Sequence, residues 1–237
     1  MKTSGLANTG KRISLLVCLS AWAVLHVNPA FAMDGQELFS HFKANRLEYE
    51  GNGKLQLFKW DIQHWIGNDT HKLWLKTEGD YAGDQGIFGR ADLQLLYSRA
   101  VTTYWDFQIG ARKAFEPERT FDAVIGFQGL APYFFEVDGA MFITDNGNVL
   151  GRLDLEYELL LTQRLILQPR LELNVAASDI NNRGVKSGIA EFEVGARLRY
   201  EIAREFAPYL GFDYVEEQSL LQHQHSIRFV VGMRVWY

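Results

Sequence analysis

The chain holds one cysteine, few prolines and, beyond its first 32 residues, neither a basic cluster nor a long apolar run. Each shortage excludes something. Cys18 lies inside an N-terminal leader, so the mature chain is expected to have no thiol, no disulfide and no thiolate metal ligand. Its flank, Leu16 to Leu19, lacks the small residue that a lipoprotein signal prefers before its cysteine. The formal charge of −5 becomes about −8 once the leader's Lys2, Lys11 and Arg12 are removed. An acidic chain without a positive footprint argues against nucleic acid, whose phosphates demand one. No apolar stretch after the leader reaches the roughly 20 residues of a membrane helix. If the chain spans a membrane, only a closed barrel satisfies its backbone.

The leader has the pattern of a secretory signal: basic residues without an acid, the apolar run Ile13 to Val27, then a small-x-small site at Ala30 to Ala32. The expected organisation is a signal peptide over 1–32, a short lead-in over 33–40 and one barrel over 41–237. From His41 onward the chain repeats one unit, an alternating run of roughly ten to fourteen residues followed by a turn signal. Twelve such runs are present, among them His71–Ala82, Tyr133–Thr144, Val149–Leu161 and Leu165–Ala177. An even count puts both termini on one side, the periplasm. The longest connections, Ser178–Gly188 and about Gln218–Gln224, then face outward.

The faces of the runs are consistent with this. In the last stretch, Ile227, Phe229, Val231, Met233, Val235 and Tyr237 share one side, and Arg228, Gly232 and Arg234 the other. The run Val149–Leu161 sets Leu153, Leu155, Tyr157 and Leu159 against Arg152, Asp154, Glu156 and Glu158. Alternation alone also fits a soluble barrel with its charges outside. Strand length, aromatics near strand ends, the leader and the aromatic last residue select the membrane arrangement. The fold class is therefore all-β: an antiparallel transmembrane β-barrel of about 12 strands, with short periplasmic turns and longer outer loops. Its lumen would carry both signs, including Lys76, Glu78, Arg112, Glu136, Arg152, Glu156, Arg170, Glu193, Arg197 and Arg234. Such charges could line an open pore or zip into a filled interior, and most read as structural pairs.

Few residues invite chemistry. After the leader there are five histidines: His41, His64, His71, His223 and His225. His64 and His71 flank the first periplasmic turn, and His41 lies near the same end, so the three are candidate metal ligands. His223 and His225 form a His-x-His pair in the last outer loop. Met141 and Met233 fall on the lipid side. A hydrolase of the kind known among twelve-stranded barrels needs a serine and a histidine on one face. Ser40 with His41, and Ser226 with His225, are sequence neighbours and so point to opposite faces. No enzyme is expected.

The segment HWIGNDTHKLWLKTEGD, His64 to Asp80, resembles the copper resistance protein B family of outer-membrane proteins. Lys72 to Gly79 is its most specific part. The similarity continues through YSRA (Tyr97–Ala100), QIGAR (Gln108–Arg112), FQGLAPYF (Phe127–Phe134), DLEYELLL (Asp154–Leu161), QPR (Gln168–Arg170), GARLRY (Gly195–Tyr200) and APY (Ala207–Tyr209). The resemblance implies a barrel that faces the periplasm and binds or exports excess copper, alongside a periplasmic multicopper oxidase. Many members carry a long Met- and His-rich segment before the barrel. Here only Met33 to about Ser40 precedes the first run, so copper contacts are expected on the barrel or on a partner. A general small-solute channel without copper preference is the alternative.

Overall fold

The computed structural model describes residues 37–53, 56–83, 85–180, 185–218 and 223–237. The expected signal peptide and the first part of the lead-in lie outside these residues. The described chain is almost entirely strand: β1 (Phe39–Gly51), β2 (Gln56–Gly67), β3 (His71–Ala82), β4 (Ile87–Ala100), β5 (Trp105–Glu116), β6 (Phe121–Ala131), β7 (Phe135–Thr144), β8 (Val149–Glu156), β9 (Leu159–Leu160), β10 (Leu165–Ala176), β11 (Gly188–Tyr200), β12 (Phe206–Gln218) and β13 (His223–Trp236). Each pairs antiparallel with its chain neighbours, except that β8 and β9 both pair with β10, and β13 returns to pair with β1, Lys43 opposite Trp236 and Gly51 opposite Phe229. The terminal Tyr237 completes the seam by exchanging backbone hydrogen bonds with Phe42 at 2.8 and 2.9 Å. Closure leaves no edge strand, which hydrocarbon would not tolerate.

The ring has twelve staves, because β8 and β9 both pair with β10 in one continuous register and form one stave. The run expected over Val149–Leu161 is thus interrupted at Tyr157 and Glu158. The cause lies across the ladder. Pro169 of β10 stands opposite Tyr157 and has no N–H to donate, although its carbonyl accepts from the Tyr157 amide at 3.1 Å. The expected connection over Gln218–Gln224 is shorter than the turn signals implied, because β12 and β13 extend to Gln218 and from His223. The connection 177–187 is the long one, and Asp179 Oδ1 ties it together by accepting from the Ser187 amide at 2.7 Å.

The outer surface is apolar. Leu73, Leu75, Leu93, Leu95, Ile109, Val231 and many others are exposed there, a belt that belongs in lipid rather than water. Aromatic side chains gather toward both rims: Tyr49, Phe58, Trp60 and Phe88 at one, with Phe135 on Tyr157 and Trp105 on Phe127 at the other. Gly79 and Gly139 leave room on this face for the Trp60 and Phe127 rings, which a Cβ at either position would strike.

Among the register slips, two decide which side chains of β1 and β4 face the lumen. In β1 the pairing with β2 slips between Ala44 and Arg46, so His41 and Lys43 face inward before the slip and Arg46, Glu48 and Glu50 face inward after it. In β4 the slip opposite Asp80 and Tyr81 sends Phe88 outward while Arg90 and Asp92 stay inside.

Leu95→Arg on the lipid face is expected to destabilise the barrel by about 2–4 kcal/mol, read as a lower urea midpoint in vesicles. Deleting Asn45 removes the extra residue of the bulge and would turn Lys43 toward lipid. The expected result is loss of the heat-modifiable, folded band on gels.

Candidate functional site

The lumen is where the chain spends its buried charge. Inward alternation leaves Arg46, Glu48, Glu50, Lys76, Asp92, Arg112, Asp122, Arg170, Glu172, Glu193, Arg197, Asp213 and Arg228 all buried. None can reach bulk water past a hydrocarbon-facing wall, so each must find a partner inside. Glu172 of β10 lies beside four arginines: Arg170 at 2.7 Å, Arg46 and Arg90 at 3.5 Å, and Arg152 at 3.9 Å. Arg170 in turn holds Asp154 at 2.5 Å, Glu156 at 3.2 Å and Glu193 at 3.3 Å. Arg197 grips Asp213 through two nitrogens at 2.5 and 2.7 Å and reaches Glu48 at 3.2 Å. Lys59 bridges Glu50 and Glu193 at 2.7 and 2.8 Å.

Several of these bonds cross the barrel rather than follow its wall. Arg152 of β8 binds Glu78 of β3, five staves away, and Arg90 joins the same carboxylate at 3.3 Å. Part of the wall between β3 and β8 is apolar: Trp74, Leu96, Val124 and Phe142 form a buried cluster with Trp65, Ala140 and Leu150 against it. The Arg112 guanidinium sits 3.6 Å above the Phe142 ring and pairs with Asp122.

This transverse layer leaves a chamber on each side. The one toward the termini has a volume of about 410 Å³, the other about 420 Å³. Both are acidic. Asp61, Glu78, Asp106, Glu136, Asp138, Asp154 and Glu156 line the first against Lys43, Arg46, Lys76, Arg152 and Arg170. Asp80, Asp92, Glu116, Glu172, Glu191, Glu193 and Glu217 line the second against Lys59, Arg90, Arg112 and Arg152. A narrower cavity of about 270 Å³ opens at the mouth beside the termini, lined by His41, Lys43, Glu136, Glu158, Arg199, Glu201, Arg234 and Trp236. There Glu158 accepts from both Arg199 and Arg234 at 2.9 Å.

The structure does not bring the candidate histidines together. His41 faces the mouth cavity, its ring 6.1 Å from Trp65. His64 is on the outer face, where its Nε2 lies 3.0 Å from Ser40 Oγ. His71 is outside too, stacked on Tyr97 and hydrogen-bonded to its hydroxyl. Closeness in chain order put these rings at one rim, but the pleat divides them between faces. His225 stacks on Tyr214 outside, and His223 is placed only as the first residue of β13, opposite Gln218. The Ser40–His64 pair, 24 residues apart in the chain, was hidden from sequence adjacency. It lacks the third, orienting group of a hydrolase triad, because the other His64 nitrogen has no partner among the described residues. The one carboxylate trio among the described residues with metal-like spacing, Glu48, Glu50 and Asp213, is occupied by Arg197 and Lys59. Arg46, Glu48 and Glu50 were not legible by alternation counted from His41, although their own period-two spacing was a signal.

Comparison with known proteins gives one consistent answer. The family described as Copper resistance protein B precursor (CopB) matches residues 38–237. Copper resistance protein B of Escherichia coli is 40% identical over 203 residues, covering 81% of this chain and 68% of the relative. The Copper resistance protein B homolog of Pseudomonas syringae pv. tomato is 38% identical over 210 residues, covering 84% and 70%. Among solved structures, a NanC porin superposes with a TM-score of 0.55 at 12% identity, covering 83% of this chain and 99% of its own, a likeness of fold.

Replacing Glu172 by Gln leaves several buried arginines facing one another without their shared counter-charge. The expected cost is about 3–5 kcal/mol, read as a lower urea midpoint for unfolding from vesicles. The control Glu217→Gln, at the half-exposed rim, should cost less than about 1 kcal/mol.

Proposed function

Because the chain belongs to the copper resistance protein B family and is a barrel of the Gram-negative outer membrane, we propose that it confers copper resistance by taking copper ions into its lumen and passing them across that membrane. The observation that supports this reading is the pair of acidic chambers, which raise the local concentration of cations and disfavour anions. We place the mouth that holds both termini in the periplasm, after removal of the leader over 1–32. There His41, with Glu136 and Glu158 lining the same cavity, is the first imidazole a copper ion would meet. His64, His71, His223 and His225 serve at most as rim contacts in this reading. By the same family resemblance, a periplasmic multicopper oxidase is the partner that would supply the ion.

Among the described residues the inward donors are mainly oxygens, chiefly carboxylate and amide, with the imidazole of His41, while Met141 and Met233 face outward and are exposed. Oxygen and imidazole suit Cu(II), whereas Cu(I) prefers thiolate and thioether. The transverse ion pairs weigh against the alternative, a general solute channel without copper preference.

Calorimetry on the refolded barrel is expected to show saturable Cu(II) binding and none for Cu(I) under reductant. His41→Ala combined with Glu158→Gln should weaken it about tenfold, or 1.4 kcal/mol, and lower copper tolerance in cells. Unchanged affinity and tolerance in a folded double variant would remove the mouth from the pathway. Absence of any Cu(II) binding would leave a passive barrel.

A further inference from the structure

Among the described residues, Arg152 is the only charged one that lines both chambers, and Phe142 is the only other one they share. Within the transverse layer, these two are the side chains that touch both chambers, the guanidinium on β8 lying 5.6 Å from the centre of the ring on β7. The guanidinium spans the lumen to Glu78 on β3, and its Nε donates to Asn174 Oδ1 at 3.1 Å.

A second buried carboxylate lies beside the first. Asp92 is the cross-strand neighbour of Glu78 and lines the chamber away from the termini. It is 3% exposed, and its hydrogen bond comes from the Gln94 amide on its own strand. No basic side chain among the described residues lies within ion-pair distance of it. Directly opposite residues in a sheet are about 5 Å apart. A long, flexible arginine can cross that gap and exchange one carboxylate for the other without passing through an unpaired state. Such an exchange avoids most of the penalty that attaches to breaking a buried pair. Glu78 is meanwhile kept neutralised by Arg90 at 3.3 Å.

We propose that Arg152 is the gate of a cation-selective conduit: bound to Glu78 it separates the chambers, and moved toward Asp92 it joins them. The permeant class is small hydrated cations, since both chambers are acidic. This deepens the copper reading and rests on passage through the lumen, but its test needs no copper. Failure here would leave copper binding at the mouth standing, and failure of copper binding would leave the gate standing.

The test is single-channel recording of the refolded mature barrel in planar bilayers under a potassium chloride gradient. Wild type should show a low, flickering conductance. Arg152→Ala should raise it several-fold with a reversal potential of cation-selective sign. Glu78→Gln removes the nearer of the two carboxylates that hold the guanidinium (Glu172 stays at 3.9 Å) while keeping every side chain's size, and should raise the open fraction even if Arg152→Ala fails to fold. Asp92→Asn, which removes the second resting place, should lengthen the closed times. Folding of each variant is read from heat-modifiable mobility. Wild-type conductance in folded Glu78→Gln or Arg152→Ala protein, or anion selectivity in either, would overturn the gate.

Discussion

In hydrocarbon a peptide N–H or C=O has no water to fall back on, so every one must be bonded to another strand. The seam between β1 and β13, finished by Tyr237 on Phe42, meets that requirement. Once the ring is closed the pleat leaves each side chain two destinations, lipid or lumen. Leucine, isoleucine and aromatics take the first. Arginine, lysine and carboxylates are forced into the second, where they must neutralise one another at short range. The filled lumen is a consequence of the closed backbone.

That consequence shapes function. A wide barrel would let its charges stand apart in water. Twelve staves bring opposite walls within reach of a single arginine, as Arg152 to Glu78 and Arg46 to Glu172 show. The ion pairs therefore form a layer instead of a lining, and the layer makes two chambers of one tube. Carboxylates outnumber cations in each chamber, which suits a protein of a copper resistance family better than an interior of balanced or positive charge would. The donors inside are mainly oxygen, so the chemistry offered to an ion is weak and exchangeable, as the proposed passage would require.

The histidines show how far rim-level reasoning reaches. Turn signals place His41, His64 and His71 at one end of the barrel. Which face each takes depends on parity, and within β1 parity changes at the bulge between Ala44 and Arg46, which no local residue type announces. The same slip carries Arg46, Glu48 and Glu50 into the lumen. Likewise the break at Tyr157 and Glu158 is not written in those residues but in Pro169 across the ladder.

What the sequence by itself determined is whatever period two and turn chemistry determine: the number of staves, their antiparallel order, the apolar outer face and the inward sign-mixed face. These are properties of neighbours along one chain, each within a hairpin of the next. The tertiary structure alone decided which charge meets which. Arg152 and Glu78 are 74 residues apart, and Arg197 and Glu48 are 149. Their meeting depends on ring size, register and the bulges acting together, and a pairing across a lumen leaves no periodic trace in either strand.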